Sequence, residues 1–141
     1  MSFGAALKSG GLAAWLSLVF GFGLLIIGLR FAVVPDSAAE TFGVDIRQPR
    51  YALHAAIALR DLWLAAIMIA LVLCKEWRPL ALVFGLGTFV CLGDAVIAAR
   101  SSGTFASVLF HLFAGGLCAG LAGMLWRLSK RSNGEAGHVR P

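Results

Sequence analysis

Residues 51–74 read YALHAAIALRDLWLAAIMIALVLC. The stretch is continuous in its apolarity and does not alternate, so it reads as a helix rather than a strand. Its length matches the ~20 residues that a helix needs to cross a hydrocarbon core of ~30 Å. Yet Arg60 and Asp61 stand side by side near its middle. Three further runs of the same kind flank it, Gly11–Val34, Leu80–Ala99 and Thr104–Trp126. In lipid only helices and closed barrels satisfy their own backbone groups. The pattern therefore predicts an all-α, four-helix transmembrane bundle.

Composition agrees. The 141 residues are 60% hydrophobic and 13% charged, with a mean hydropathy of +0.87. Soluble domains run near 45–50% apolar and about 25% charged. The net charge of +5 does not indicate nucleic acid, because most basic residues sit at helix ends, where membrane proteins carry them. Four crossings place both termini on one side. That side holds Lys8, Lys75, Arg78, Arg127, Lys130, Arg131 and Arg140, against Arg47, Arg50 and Arg100 on the other. The excess predicts cytoplasmic termini, with Trp77 and Trp126 as interfacial anchors. The first run is too long for the 7–15-residue apolar core of a signal peptide and reads as an uncleaved helix.

The connections differ. Lys75–Pro79 and Ser101–Gly103 are tight turns. Between the first two runs lies PDSAAETFGVDIRQPR, residues 35–50. Pro35 suits the first position of a helix, Asp36 and Glu40 lie near the start of one, and Gly43 can end it in a left-handed cap. A short amphipathic helix, or an ordinary surface loop, is expected there. The chain then divides into a transmembrane domain over 1–127 and a polar tail over 128–141, expected to be disordered and cytoplasmic. His138 in that tail reads as solvated.

The polar residues inside the runs share one half of the membrane, away from the termini. Counted at ~1.5 Å per residue from the helix ends, Asp61 is ~15 Å deep, Asp94 ~9 Å, His111 ~10 Å, Arg30 ~6 Å and His54 ~5 Å. His54 and Asp61 share a helix face at i, i+7, which Ala58 and Ala65 continue with small groups. Gly87, Cys91 and Asp94 form a small, polar face on the third run. Thr104, Ser107 and His111 do so on the fourth. Faces of this kind usually turn inward. Arg60 keeps its charge and so needs an acid or water. It points about 100° from Asp61 on the helix, so it is expected to reach another helix, where Asp94 is a candidate; Arg30 can meet Asp61 or Asp94 instead, and the pairing stays open.

Two carboxylates with a histidine nearby have acid–base capacity. Asp61, Asp94 and His111 are the candidate catalytic groups; Arg60, Arg30, His54 and Ser107 are the candidate ligand contacts. The leading expectation is a buried polar pocket for a small lipophilic or amphiphilic molecule, with acid–base turnover possible in principle. Whether the chain is an enzyme stays open. One alternative is an accessory or structural subunit whose charges fix the bundle. A second is a proton-coupled transporter. The spacing offers no metal site, no phosphate loop and no nucleophile elbow, and no cofactor is expected. Cys74, Cys91 and Cys118 lie on three different runs without a C-x-x-C, which argues against a redox pair. Gly116-x-x-x-Gly120 is a close-packing motif, expected to serve within the bundle before any homo-oligomer.

The order of Pro35, Ala38, Phe42 and Gly43, then ALRDLWLA on the second run, LGDAVI on the third and His111 on the fourth resembles a family of small bacterial four-helix membrane proteins known as a domain of unknown function. That family has a GLRDL-type motif on helix 2 and a GDA motif on helix 3. Ala58 stands here at the glycine of the first motif. Size and topology also show a looser likeness to DoxX-type membrane proteins. The resemblance implies the bacterial inner membrane, the fold and the site residues, and no activity.

Overall fold

The computed structural model describes residues 3–43, 51–101 and 104–137. Residues 44–50, with Asp45, Arg47 and Arg50, lie outside the described residues, as do His138 and Arg140. Five helices follow one another: α1 Phe3–Val33, α2 Pro35–Phe42, α3 Tyr51–Leu73, α4 Trp77–Arg100 and α5 Phe105–Gly137. All but α2 are long and apolar enough to cross a membrane. The chain is a multi-pass membrane protein with an all-α, four-helix bundle.

Local chemistry explains the boundaries. α1 begins at Phe3, ahead of its expected start at Gly11, and is kinked at Gly11, whose backbone lies at φ 53°, ψ −138°. Only glycine adopts that backbone readily. Val34 alone links α1 to α2, and Pro35 opens α2. Gly43 closes α2 at φ 97°, donating its N–H to Ala39 and Glu40, so the short helix expected from the sequence is present. At the end of α3, Lys75 takes φ 60°. Its N–H reaches the Val72 carbonyl at 3.1 Å and that of Glu76 reaches Leu71 at 2.9 Å. These are the two bonds of a Schellman turn, with lysine where glycine is usual. Thr104 caps α5 by accepting the Ser107 amide at 3.3 Å, as hydroxyl caps do.

α5 also runs further than the sequence suggests. Residues 128–137, expected in the tail, continue the helix. Leu128 packs on the core, and the Ser129 hydroxyl returns to the Trp126 carbonyl at 2.8 Å. Burial of Leu128 thus carries the apolar stripe of α5 beyond Trp126.

The helices form two antiparallel pairs, α1 with α3 and α4 with α5, which meet each other sparsely. Small residues set both pairings. A Cβ on Gly28 would lie 3.1 Å from the Ala58 carbonyl oxygen, and one on Gly21 would lie 3.8 Å from that of Ala65. Ala58 and Ala65 therefore admit α1 rather than leave room for a ligand. In the other pair a Cβ on Gly115 would meet Cys91 at 3.4 Å, and one on Gly87 would meet the Cys118 sulfur at 3.7 Å. Gly116 and Gly120 correct the expectation of packing within the bundle, since a Cβ there meets nothing within 4 Å.

The apolar core is one-sided. At the end bearing the termini, Leu18, Met68, Val72, Leu80, Phe84, Leu121 and Leu125 bring all four spans into one cluster. Trp77, expected as an interfacial anchor, is only 5% exposed and belongs to this core; it fills the space left by Gly10. Trp126 is more open and lies beneath Arg78, 5.4 Å from its guanidinium carbon. At the opposite end a second cluster of Phe31, Ala38, Ala39 and Ala58 joins α1, α2 and α3 only. There the two pairs need another kind of link.

Candidate functional site

Polar groups supply it. Arg60 on α3 donates from Nε to Asp61 Oδ1 at 2.9 Å. Its two terminal nitrogens face the two oxygens of Asp94 on α4, each at 3.5 Å. The guanidinium thus spans the seam between the helix pairs. Asp94 is the candidate partner that the sequence offers, and the structure pairs it with Arg60 rather than Arg30. The bond to Asp61 is a correction: the ~100° between the two Cα directions suggested that they would miss each other. The flexible arginine stem bends back and presents Nε rather than its tip, a geometry that helix-face angles do not capture.

The three side chains differ in access. Asp61 is 3% exposed, Asp94 13% and Arg60 34%. The tight pair is therefore the buried one, and the stretched pair is the open one. A separation of 3.5 Å is at the outer edge of a charged hydrogen bond, well beyond the ~2.8 Å of a strong one. One cation also faces two carboxylates, so the cluster carries a surplus of formal negative charge within the span.

Arg30, His111 and Ser107 go elsewhere. Arg30 does not reach either acid. Its Nη2 donates to the hydroxyls of Ser37 at 3.3 Å and Thr41 at 3.2 Å, and to the Ser37 carbonyl at 3.5 Å. It ties α1 to α2. His111 Nε2 donates to the Phe42 carbonyl at 3.2 Å, and its ring lies 4.5 Å from that of Phe42. The carbonyl is one of those left open at the end of α2. His111 therefore anchors α2 to α5, across the seam. His54 is buried with its ring 6.1 Å from Phe31. Ser107 donates to the Thr104 carbonyl at 2.8 Å as part of the α5 cap.

The structure thus brings Arg60, Asp61 and Asp94 together and gives Arg30, His111 and Ser107 positioning tasks around them. Sequence reading missed Ser37 and Thr41. Their i, i+4 spacing on a short helix opposite Arg30 was the signal. Among the described residues, no three of His, Cys, Asp and Glu gather into a set able to hold a metal ion. The three cysteines are free thiols. Chemically the cluster can hold a polar group in hydrogen bonds at a lipid-surrounded seam, with α2 covering that end of the α1–α3 pair.

A family model described as a domain of unknown function (DUF4267) matches residues 21–125, which includes every residue of the cluster. No curated protein and no solved structure matches the chain.

Proposed function

We propose that this chain, which belongs to the family described as a domain of unknown function (DUF4267), binds a small lipophilic or amphiphilic molecule at the seam between α3 and α4. The carrying observation is the stretched Arg60–Asp94 contact at 3.5 Å beside a tight Arg60–Asp61 pair at 2.9 Å. Arg60 has donors to spare, and Asp94 has acceptor capacity to spare. A hydroxyl or amine on an apolar body fits such a place. A hydroxyl accepts from the guanidinium and donates to the carboxylate, whereas a protonated amine donates to the carboxylate and offsets the surplus negative charge. The apolar body lies among the helices, as ligand sites between bundle helices do. Binding is the better supported activity and turnover the weaker one, because His111 spends its Nε2 on the Phe42 carbonyl. The excess of Lys and Arg at the end bearing the termini supports cytoplasmic termini, and the resemblance to small bacterial membrane proteins supports the inner membrane as its location.

The test is chemical. Organic extracts of the purified protein are compared by mass spectrometry with extracts of Asp94→Asn and Arg60→Lys, both as monodisperse protein. The expected result is an amphiphile enriched with the wild type and depleted in both variants. Arg60→Lys keeps the charge but loses the planar fork. Identical extracts from all three proteins would refute the reading.

A second reading has its own support. The Arg60–Asp94 and His111–Phe42 contacts both cross the seam where the apolar core does not. On this reading the cluster is a fastening between two helix pairs in a non-catalytic membrane subunit, and the extracts would not differ.

A further inference from the structure

At the other end of the bundle lies a groove. Its volume is about 240 Å³. Leu12 and Ala13 from α1, with Met124 and Leu128 from α5, give it an apolar wall. Arg127 and Arg131, one helical turn apart on α5, stand on its rim. Both arginines are exposed. The groove lies where the α1 span begins, at Leu7, and where the α5 span ends, at Arg131. It therefore sits at the boundary between hydrocarbon and headgroups.

We infer that this groove binds one anionic phospholipid, with its phosphate between Arg127 and Arg131 and an acyl chain along Leu12, Met124 and Leu128. Three observations support that occupant. Paired arginines at i, i+4 present planar donor forks to a single phosphate. The apolar wall continues from the arginines toward the membrane interior, as a lipid requires and a free anion does not. Other basic residues at this end are differently placed: Arg78 lies over the Trp126 ring, and Lys75 is held in the α3–α4 turn. The site is thus a particular groove and not a diffuse basic collar. The groove opens beside the kink at Gly11, a backbone conformation that glycine adopts readily.

The experiment is a native mass-spectrometric titration of the full chain in a neutral detergent. The probes are phosphatidylglycerol, phosphatidylcholine and inorganic phosphate. The first phosphatidylglycerol should bind at least about tenfold more tightly than phosphatidylcholine, since each arginine near the surface contributes about one factor of five toward an anionic lipid. Arg127→Gln/Arg131→Gln should erase the difference, while Lys130→Gln, on the same helix but off the groove, should keep it. Because both arginines are exposed, the double variant should fold; Arg131→Gln alone should lose part of the preference. Equal binding of the two lipids by the wild type would overturn the inference. So would a preference that survives the double substitution. Competition by inorganic phosphate that fully displaces the lipid would also overturn it, by assigning the site to a free anion.

Discussion

Replacing Arg60 by glutamine should be the most damaging single change at the seam, and removing both acids as well should undo part of the damage. The geometry ranks the variants. Asp94→Asn weakens contacts that are already 3.5 Å long and partly solvent-screened, so its cost should be below about 1 kcal/mol. Asp61→Asn breaks the 2.9 Å bond that Arg60 makes to a carboxylate only 3% exposed. A hydrogen bond to a charged group contributes about 1.5–3 kcal/mol, and asparagine keeps an acceptor oxygen, which places the loss toward the lower figure. Arg60→Gln leaves two carboxylates in one site without a cation. Stranding a buried charge costs about 3–5 kcal/mol. In a chain of this size each kcal/mol moves the melting temperature by roughly 2–4 °C, so Arg60→Gln should lower it by about 6–20 °C. The triple variant Arg60→Gln/Asp61→Asn/Asp94→Asn strands nothing and should recover about half of that loss or more, a non-additivity expected of groups in one network. The assay is thermal unfolding in detergent, followed by loss of monodisperse protein. If the triple variant is no more stable than Arg60→Gln, charge balance is not what holds the seam. If Asp94→Asn matches Arg60→Gln, Asp61 is not the primary partner.

Two other outcomes follow from the packing. Gly28→Ala should lose about 1–3 kcal/mol by overpacking, because its Cβ would lie 2.9 Å from Leu62 and 3.1 Å from the backbone at Ala58 and Leu62. Gly116→Ala should be neutral or gain up to about 1 kcal/mol of helix propensity, since nothing lies within 4 Å; thermal scans of the pair check both signs. His111→Ala should release α2 from α5 and speed amide exchange over Pro35–Phe42 by on the order of tenfold, as loss of one net hydrogen bond allows. Exchange in the first half of α4 should be unchanged, and equal acceleration there would mean that the whole bundle had loosened.

Much of the fold could be read from hydropathy because the membrane imposes length and continuity on each span. α2 could be read because Pro35 and Gly43 have local, backbone-level roles at its two ends. The pairing of the helices could not be read from one helix at a time. Its signal is the matched seven-residue spacing of Gly21 and Gly28 on α1 with Ala58 and Ala65 on α3, which become complementary only when the two helices run antiparallel. The same limit explains the site. Asp94 was a sound partner for Arg60 because an intramembrane cation needs an acid. The bond to Asp61 depends on how a long side chain bends, and the destination of Arg30 depends on where α2 folds back. Neither is a property of a helix face.

The sidedness of the core gives the cluster its significance. Where the apolar cluster joins all four spans, van der Waals packing alone can hold the pairs together. Where the second cluster stops at α3, α4 and α5 are held by a guanidinium and an imidazole. Such contacts act over a small area and can be replaced by the hydrogen bonds of an incoming polar group, whereas interdigitated side chains cannot be exchanged piecemeal. On the proposed ligand-binding reading, the α3–α4 seam is where a ligand would enter at least cost, taking over the polar contacts that fasten the two pairs. On that logic an amphiphilic amine should stabilise the wild type more than the triple variant, whose amides carry no surplus charge to offset.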